Sequence, residues 1–202
     1  MSSGRGGNLK YIIEAARSGY IEAKVRVVLA DQRDAGALRI ASDYGVKALF
    51  LDPAGLSREQ YDERLLEQLE SAGVDLVVLT GYMRILSGTF VSRYKNRILN
   101  IHPALLPAFR GMNAFKQALE YGVMWTGTTI HIVDDEVDHG PIVYQMPVRV
   151  RCDDTYESLK ARVQEAEYRA YPRAIKMFLE GGPRVEGRRV IFENPVEDEK
   201  EV

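Results

Sequence analysis

Cysteine is almost missing from this 202-residue chain: Cys152 stands alone. One thiol can neither close an internal disulfide nor build a cysteine-based zinc site. Such sparing use fits a reducing compartment, and a cytoplasmic protein is expected. Long apolar runs are missing too. Stretches such as Leu76–Thr80 fall far below the ~20 residues needed to span a bilayer as a helix, so no membrane association is expected. Met1–Asn8 is polar and Gly-rich, without the apolar segment of a signal peptide. There is no excess of positive charge: 27 Lys and Arg face 29 Asp and Glu, a formal charge of −2. That excludes the basic footprint of a nucleic-acid binder and leaves room for a local pocket that takes a small acidic ligand. What remains is ordinary for one globular domain, with 46% hydrophobic and 28% charged residues.

Short apolar runs alternate with segments of helical period. Strands are predicted at Lys24–Ala30, Ala48–Leu51, Leu76–Thr80, Ile98–His102, Thr128–Val133 and Ile142–Val150. They are rich in Val, Ile and Leu, and several read as continuous runs, as in parallel strands covered on both faces. Leu9, Ile12, Ile13 and Ala16 recur at helical spacing. Ser57-Arg58-Glu59-Gln60 reads as a capping box, and Leu65, Leu66 and Leu69 continue the buried side of its helix. Thr155 to Phe178 reads as a long helix that Pro172 should kink or divide. The fold class is therefore α/β, an open and mostly parallel twisted sheet with helices on both faces and ligands at the carboxyl ends of strands. One domain over 1–202 is expected, its tail at 195–202 frayed.

Four places could carry chemistry. Gly4-Arg5-Gly6-Gly7-Asn8 opens the first helix, where free backbone N–H groups and the helix dipole suit phosphate; the same segment also fits a flexible tail with a helix cap. Asn100 and His102 lie two apart at the end of a strand and point to one face. There they could polarise a carbonyl oxygen and move a proton, or simply cap and pack. Asp134-Asp135-Glu136-Val137-Asp138-His139 could supply a carboxylate to His102, or be a solvated turn; its spacing is not that of a calcium loop, and no metal is expected. His131 is read as structural, whereas His139 is ambiguous. Gln164 and Glu167, three apart on the long helix, share a face, where a buried carboxylate could bind an ammonium group or both could simply be solvated.

Taken together and in this order, these segments resemble the folate-dependent formyltransferases, and among them the glycinamide ribonucleotide transformylases of purine synthesis. The resemblance runs through the Gly turn, Met83-Arg84-Ile85-Leu86, Asn100-Ile101-His102-Pro103 with Leu105-Leu106-Pro107, and Gly127-Thr128-Thr129. It continues in Asp138 with Gly140-Pro141 and in Arg162-Val163-Gln164 with Glu167. It implies an enzyme that passes the formyl group of 10-formyltetrahydrofolate to the amine of glycinamide ribonucleotide, without a metal. Residues 1–100 would form the nucleotide-binding half and 101–194 the folate and catalytic half. Gly6, Gly7 and Asn8 would hold the phosphate, and Gln164 and Glu167 the sugar and amine portions. Arg58, Met83, Arg84, Ile85 and Leu86 would border the folate, with Asn100 and the Asp134–Asp138 loop completing its site. Asn100, His102 and Asp138 match the catalytic trio, in which Asn100 and His102 stabilise a tetrahedral intermediate and Asp138 tunes His102.

Three positions depart from that pattern. Only Met1 and Ser2 precede the Gly turn, so the first strand is missing or nearly so. Gly7 stands where Ser is common, and His139 replaces a usual Gly. An unpaired sheet edge would favour a homodimer. The related formyltetrahydrofolate hydrolases usually carry a His-His pair after the Asn and an extra N-terminal domain, whereas here His102 is followed by Pro103. A non-catalytic folate- or nucleotide-binding protein is the third alternative.

Overall fold

The computed structural model describes residues 1–194; the expectation for 195–202 falls outside them. Six helices and eight strands follow in the order α1 (Gly7–Arg17), β1 (Val27–Ala30), α2 (Gly36–Asp43), β2 (Lys47–Phe50), α3 (Arg58–Ser71), β3 (Val77–Leu79), α4 (Gly88–Arg93), β4 (Ile98–His102), α5 (Ala114–Tyr121), β5 (Trp125–Ile132), β6 (Ile142–Arg149), α6 (Tyr156–Glu180), β7 (Pro183–Glu186) and β8 (Arg189–Phe192). The strands β1 and β2 pair in parallel, as do β3 and β4. Beyond β4 the sheet continues antiparallel through β5 and β6 and ends at the β8–β7 hairpin.

Alternation along the strands sorts side chains between two helical layers. Leu99, Ile101, Ile130 and Ile132 face Ile12 of α1 and Ala170, Tyr171, Ala174 and Ile175 of α6. Val77, Leu79 and Ile98 point the other way, onto Tyr61, Leu65 and Leu69 of α3 and Phe90 of α4. The capping box at the start of α3 is present: Ser57 Oγ accepts from the Gln60 N–H at 3.2 Å, and Gln60 Oε1 from the Ser57 N–H at 2.9 Å. Leu65 and Leu69 are buried as predicted, with Tyr61 in place of a third leucine.

The helix α6 is not divided at Pro172. It runs unbroken from Tyr156 to Glu180 through Pro172. The backbone bond that Pro172 cannot donate is outweighed locally by anchoring to the sheet. The fully buried Tyr171 shares its hydroxyl hydrogen between the carbonyls of Leu79 and Leu99, at 2.8 and 2.9 Å.

Met1 and Ser2 lie between the two parallel pairs. The Met1 amine donates to Val78 O, the Ser2 N–H to Leu29 O and the Thr80 N–H to Met1 O. Two residues thus join β1 to β3 where the resemblance puts a whole strand. Beside them an apolar groove of about 390 Å³ opens between Lys24–Leu29 and Val74–Val78. It lies toward the amino-terminal ends of β1 and β3, the opposite end from the carboxyl end of β4. Among the described residues, no helix is long and apolar enough to cross a membrane.

Replacing Tyr171 by Phe keeps the packing and strips the hydroxyl from two buried carbonyls. A loss of about 1–3 kcal/mol is expected, read as a lower urea midpoint at unchanged slope.

Candidate active site

The strand β4 ends at His102, where Pro103 and the Leu106–Pro107 bond, which is cis, turn the chain away. Thr129 on β5 laces that turn down: its hydroxyl donates to Ala104 O and accepts from the Leu106 N–H, at 2.7 and 3.0 Å. The antiparallel register sets Asn100 opposite His131 and His102 opposite Thr129. Four polar side chains therefore share one face at the carboxyl end of β4.

The loop between β5 and β6 brings Asp138 onto this face. Its reversal depends on Gly140, where a Cβ would lie 1.8 Å from Ile132 O. Asp138 itself adopts φ 48°, unusual for a residue with a side chain. Its Oδ2 meets His102 Nδ1 at 3.0 Å and the Gly111 N–H at 2.9 Å. Its Oδ1 lies 3.4 Å from Asn100 Nδ2 and 3.7 Å from His131 Nε2. Burial alone would push this carboxyl up. The hydrogen bond from His102, its charge and the Gly111 N–H together prevail, and hold it well below the usual carboxylate range.

The other nitrogen of His102, Nε2, lies 2.8 Å from the carbonyl oxygen of Phe109. Both partners of the ring, a carboxylate and a carbonyl, are pure acceptors, so only an imidazolium with two N–H groups satisfies both at once. Phe109 adopts φ 54° to deliver that oxygen. The reactive edge of His102 is thus capped by the chain itself, and a ligand oxygen must displace Phe109 to reach it. Phe109 and Gly111 were not singled out in the sequence, because backbone partners leave no mark on residue type. His131 is structural as expected, and it also orients the site: its Nε2 lies 3.2 Å from Asn100 Nδ2, while its Nδ1 faces Ile132 O. The legible signal was its spacing of two from Thr129.

Gly6 caps α1 at φ 79°, and a Cβ there would come within 2.8 Å of the Ala37 backbone. Asn8 Nδ2 donates to Glu167 Oε2 at 3.1 Å, so the Gly turn and the long helix meet as the sequence suggested. Burial pushes the Glu167 carboxyl up, opposed by the Asn8 hydrogen bond and by the charge of His102. The second amide atom of Asn8, Oδ1, is buried without a partner. An ammonium group would satisfy both unmet needs. Gln164 is half-buried one turn earlier on α6.

On the remaining flank, Met83 and Ile85 are exposed and Leu86 is buried. Arg84 stacks its guanidinium over Tyr61, with the ring centroid 4.8 Å away. Asp135 lies against Gly88, just past this run, so the acidic loop and the Met83–Leu86 segment are neighbours. Asp134 Oδ2 meets His139 Nδ1 at 2.7 Å, and the far side of that ring meets Arg188 at the β7–β8 turn at 2.8 Å. His139 is therefore a rim residue that ties the acidic loop to the hairpin. Arg58 is not drawn into this cluster: it is exposed on the first turn of α3, and no side-chain hydrogen bond or ion pair holds it among the described residues.

A parallel α/β half that carries a Gly turn, followed by an Asn-x-His strand and an Asp loop, defines a group-transfer domain built around an amide, an imidazole and a carboxylate. Comparison with known proteins makes that class specific. The formyl transferase family matches residues 1–175, and the chain belongs to it. Phosphoribosylglycinamide formyltransferase of Haemophilus influenzae is 42% identical over 184 residues, 91% of this chain and 87% of that protein. The crystal structure of glycinamide ribonucleotide transformylase 1 from Symbiobacterium toebii superposes with a TM-score of 0.92 at 48% identity, over 95% of this chain and 91% of that one. A formyltetrahydrofolate deformylase from Pseudomonas syringae shares the fold at TM-score 0.88 but only 25% identity, with 64% of its chain covered.

The lowered pKa of Asp138 has a signed consequence. A carboxyl held low in the folded state stabilises it above the unfolded pKa of about 4, and that contribution fades as the pH falls. Asp138→Asn is expected to unfold at lower urea than the wild type at pH 7, with the gap closing below about pH 4. A gap independent of pH would show that the carboxylate is not so held.

Proposed function

We propose that this chain transfers the formyl group of 10-formyltetrahydrofolate to the amine of glycinamide ribonucleotide, in line with relatives named phosphoribosylglycinamide formyltransferase. The observation that carries this reading is the meeting of Asn100, His102 and Asp138 at the end of β4, within electrostatic reach of the Asn8–Glu167 pair.

In this reading Gly6, Gly7 and Asn8 hold the phosphate at the start of α1, a segment rich in unpaired N–H donors. Glu167, with Gln164 beside it, receives the sugar and amine end and draws the amine toward His102. Met83, Arg84, Ile85 and Leu86 border the folate across from Asp134, with Asn100 and Asp138 at its reacting end. Arg58 belongs to the outer rim of that site. Residues 1–100 thus carry the phosphate seat, Asn100 and one border of the folate, and 101–194 carry His102, the acidic loop with Asp138 and the Gln164–Glu167 contacts to the ribonucleotide.

The amine nitrogen bonds to the formyl carbon and the bond from that carbon to N10 breaks. One proton leaves the amine and one reaches N10. In between, charge gathers on the formyl oxygen of a tetrahedral intermediate. His102, once Phe109 is displaced, donates Nε2–H to that oxygen, and Asn100 donates from the amide N–H that now makes its long contact with Asp138. One such donor is typically worth about 10²–10³ in rate. Asp138 acts through His102, keeping its ring oriented and cationic. The cytoplasm is the proposed compartment. Neither nucleic acid nor membrane is part of the reading. A homodimer is, supported by the apolar groove beside Val27–Leu29.

Hydrolysis of the formyl donor is the nearest rival. It is disfavoured by the identities, 48% against 25%, and by a carboxylate and an amide arranged for an amine rather than for water. Turnover of 10-formyltetrahydrofolate with glycinamide ribonucleotide, compared with water alone, decides between them: formyl transfer is expected, and release of formate without it would overturn the proposal. His102→Ala is expected to cut transfer by about 10²–10⁴ with the fold intact by circular dichroism. Glu167→Ala is expected to raise KM for the ribonucleotide far more than KM for the folate.

A further inference from the structure

Gly7 lacks a side chain, and the space that a side chain would fill is taken. A Cβ built on Gly7 lies 2.8 Å from the hydroxyl oxygen of Tyr168, and 3.1 Å from the nearest ring carbon. Tyr168 follows Glu167 on α6 and is half-buried. Its ring lies flat on Tyr11 of α1, with centroids 4.4 Å apart and planes 16° apart. The stack fixes the ring against the helix that the Gly turn opens. Among the described residues, no protein group hydrogen-bonds the Tyr168 hydroxyl. Its O–H is therefore free to donate, held rigidly over the first turn of α1.

We infer that Tyr168 places its hydroxyl over position 7, where the glycine leaves room for it, and donates it to the phosphate of the ribonucleotide. This rests on the proposed reading of the Gly turn as the phosphate seat. The chemistry is a neutral phenol donating to a phosphate oxygen, a charge-assisted bond that costs no proton transfer. Preorganisation by the Tyr11 stack means that little rotamer freedom is lost on binding. Gly7 and Tyr168 are then one unit: a side chain at position 7 and a hydroxyl at position 168 compete for the same volume.

Steady-state kinetics of Tyr168→Phe, with glycinamide ribonucleotide and with its dephosphorylated riboside as acceptors, test this. KM for the ribonucleotide is expected to rise about tenfold, with kcat, KM for the folate and all riboside parameters unchanged. Gly7→Ser alone is expected to raise the ribonucleotide KM through collision with the hydroxyl, and Gly7→Ser with Tyr168→Phe to recover most of the loss. An unchanged ribonucleotide KM in Tyr168→Phe, or an equal rise with the riboside, overturns the assignment. Should the wild type fail to use the ribonucleotide at all, the functional reading itself fails. Calorimetric titration of ribonucleotide into both proteins then still decides the hydroxyl, and equal affinities overturn it.

Discussion

One half-buried carboxylate holds the site together. Asp138 gathers His102 and Asn100 from β4 and the Gly111 N–H from the loop after β4. Each donor offsets part of the cost of burying a charge, and none could do so alone. The same contacts close the loop between β5 and β6 against the sheet. Position and chemistry are thus inseparable here: the group that orients the His102 ring also fixes where the loop lies.

The rest of the architecture brings partners to that point. The sheet changes from parallel to antiparallel after β4, which lets β5 present Thr129 and His131 directly opposite His102 and Asn100. Tyr171 ties α6 to β3 and β4 by one hydroxyl, and four residues earlier on the same helix Glu167 reaches Asn8. The Gly turn and the end of β4 are therefore tied to one and the same helix.

Much of this was legible in the sequence because it followed period and residue type. The strand at Ile98–His102, the capping box at Ser57 and the shared face of Asn100 and His102 all follow from local rules, and the structure has them. Pro172 does not divide α6, where tertiary anchoring by Tyr171 outweighs the lost backbone bond. The β7–β8 hairpin was missed because its four-residue strands carry only weak alternation among charged neighbours. The roles of Phe109, Gly111 and Tyr168 were hidden for another reason. Two act through the backbone and the third through space vacated by a glycine, and neither is written in a linear pattern.

The carbonyl of Phe109 over His102 Nε2 also has a kinetic meaning. An acceptor built into the chain stands at an effective concentration that free solutes seldom match. A ring so engaged is poorly available to bulk solvent. In the proposed reading, selectivity for an acyl donor is thereby built into the idle state, before any acceptor has arrived.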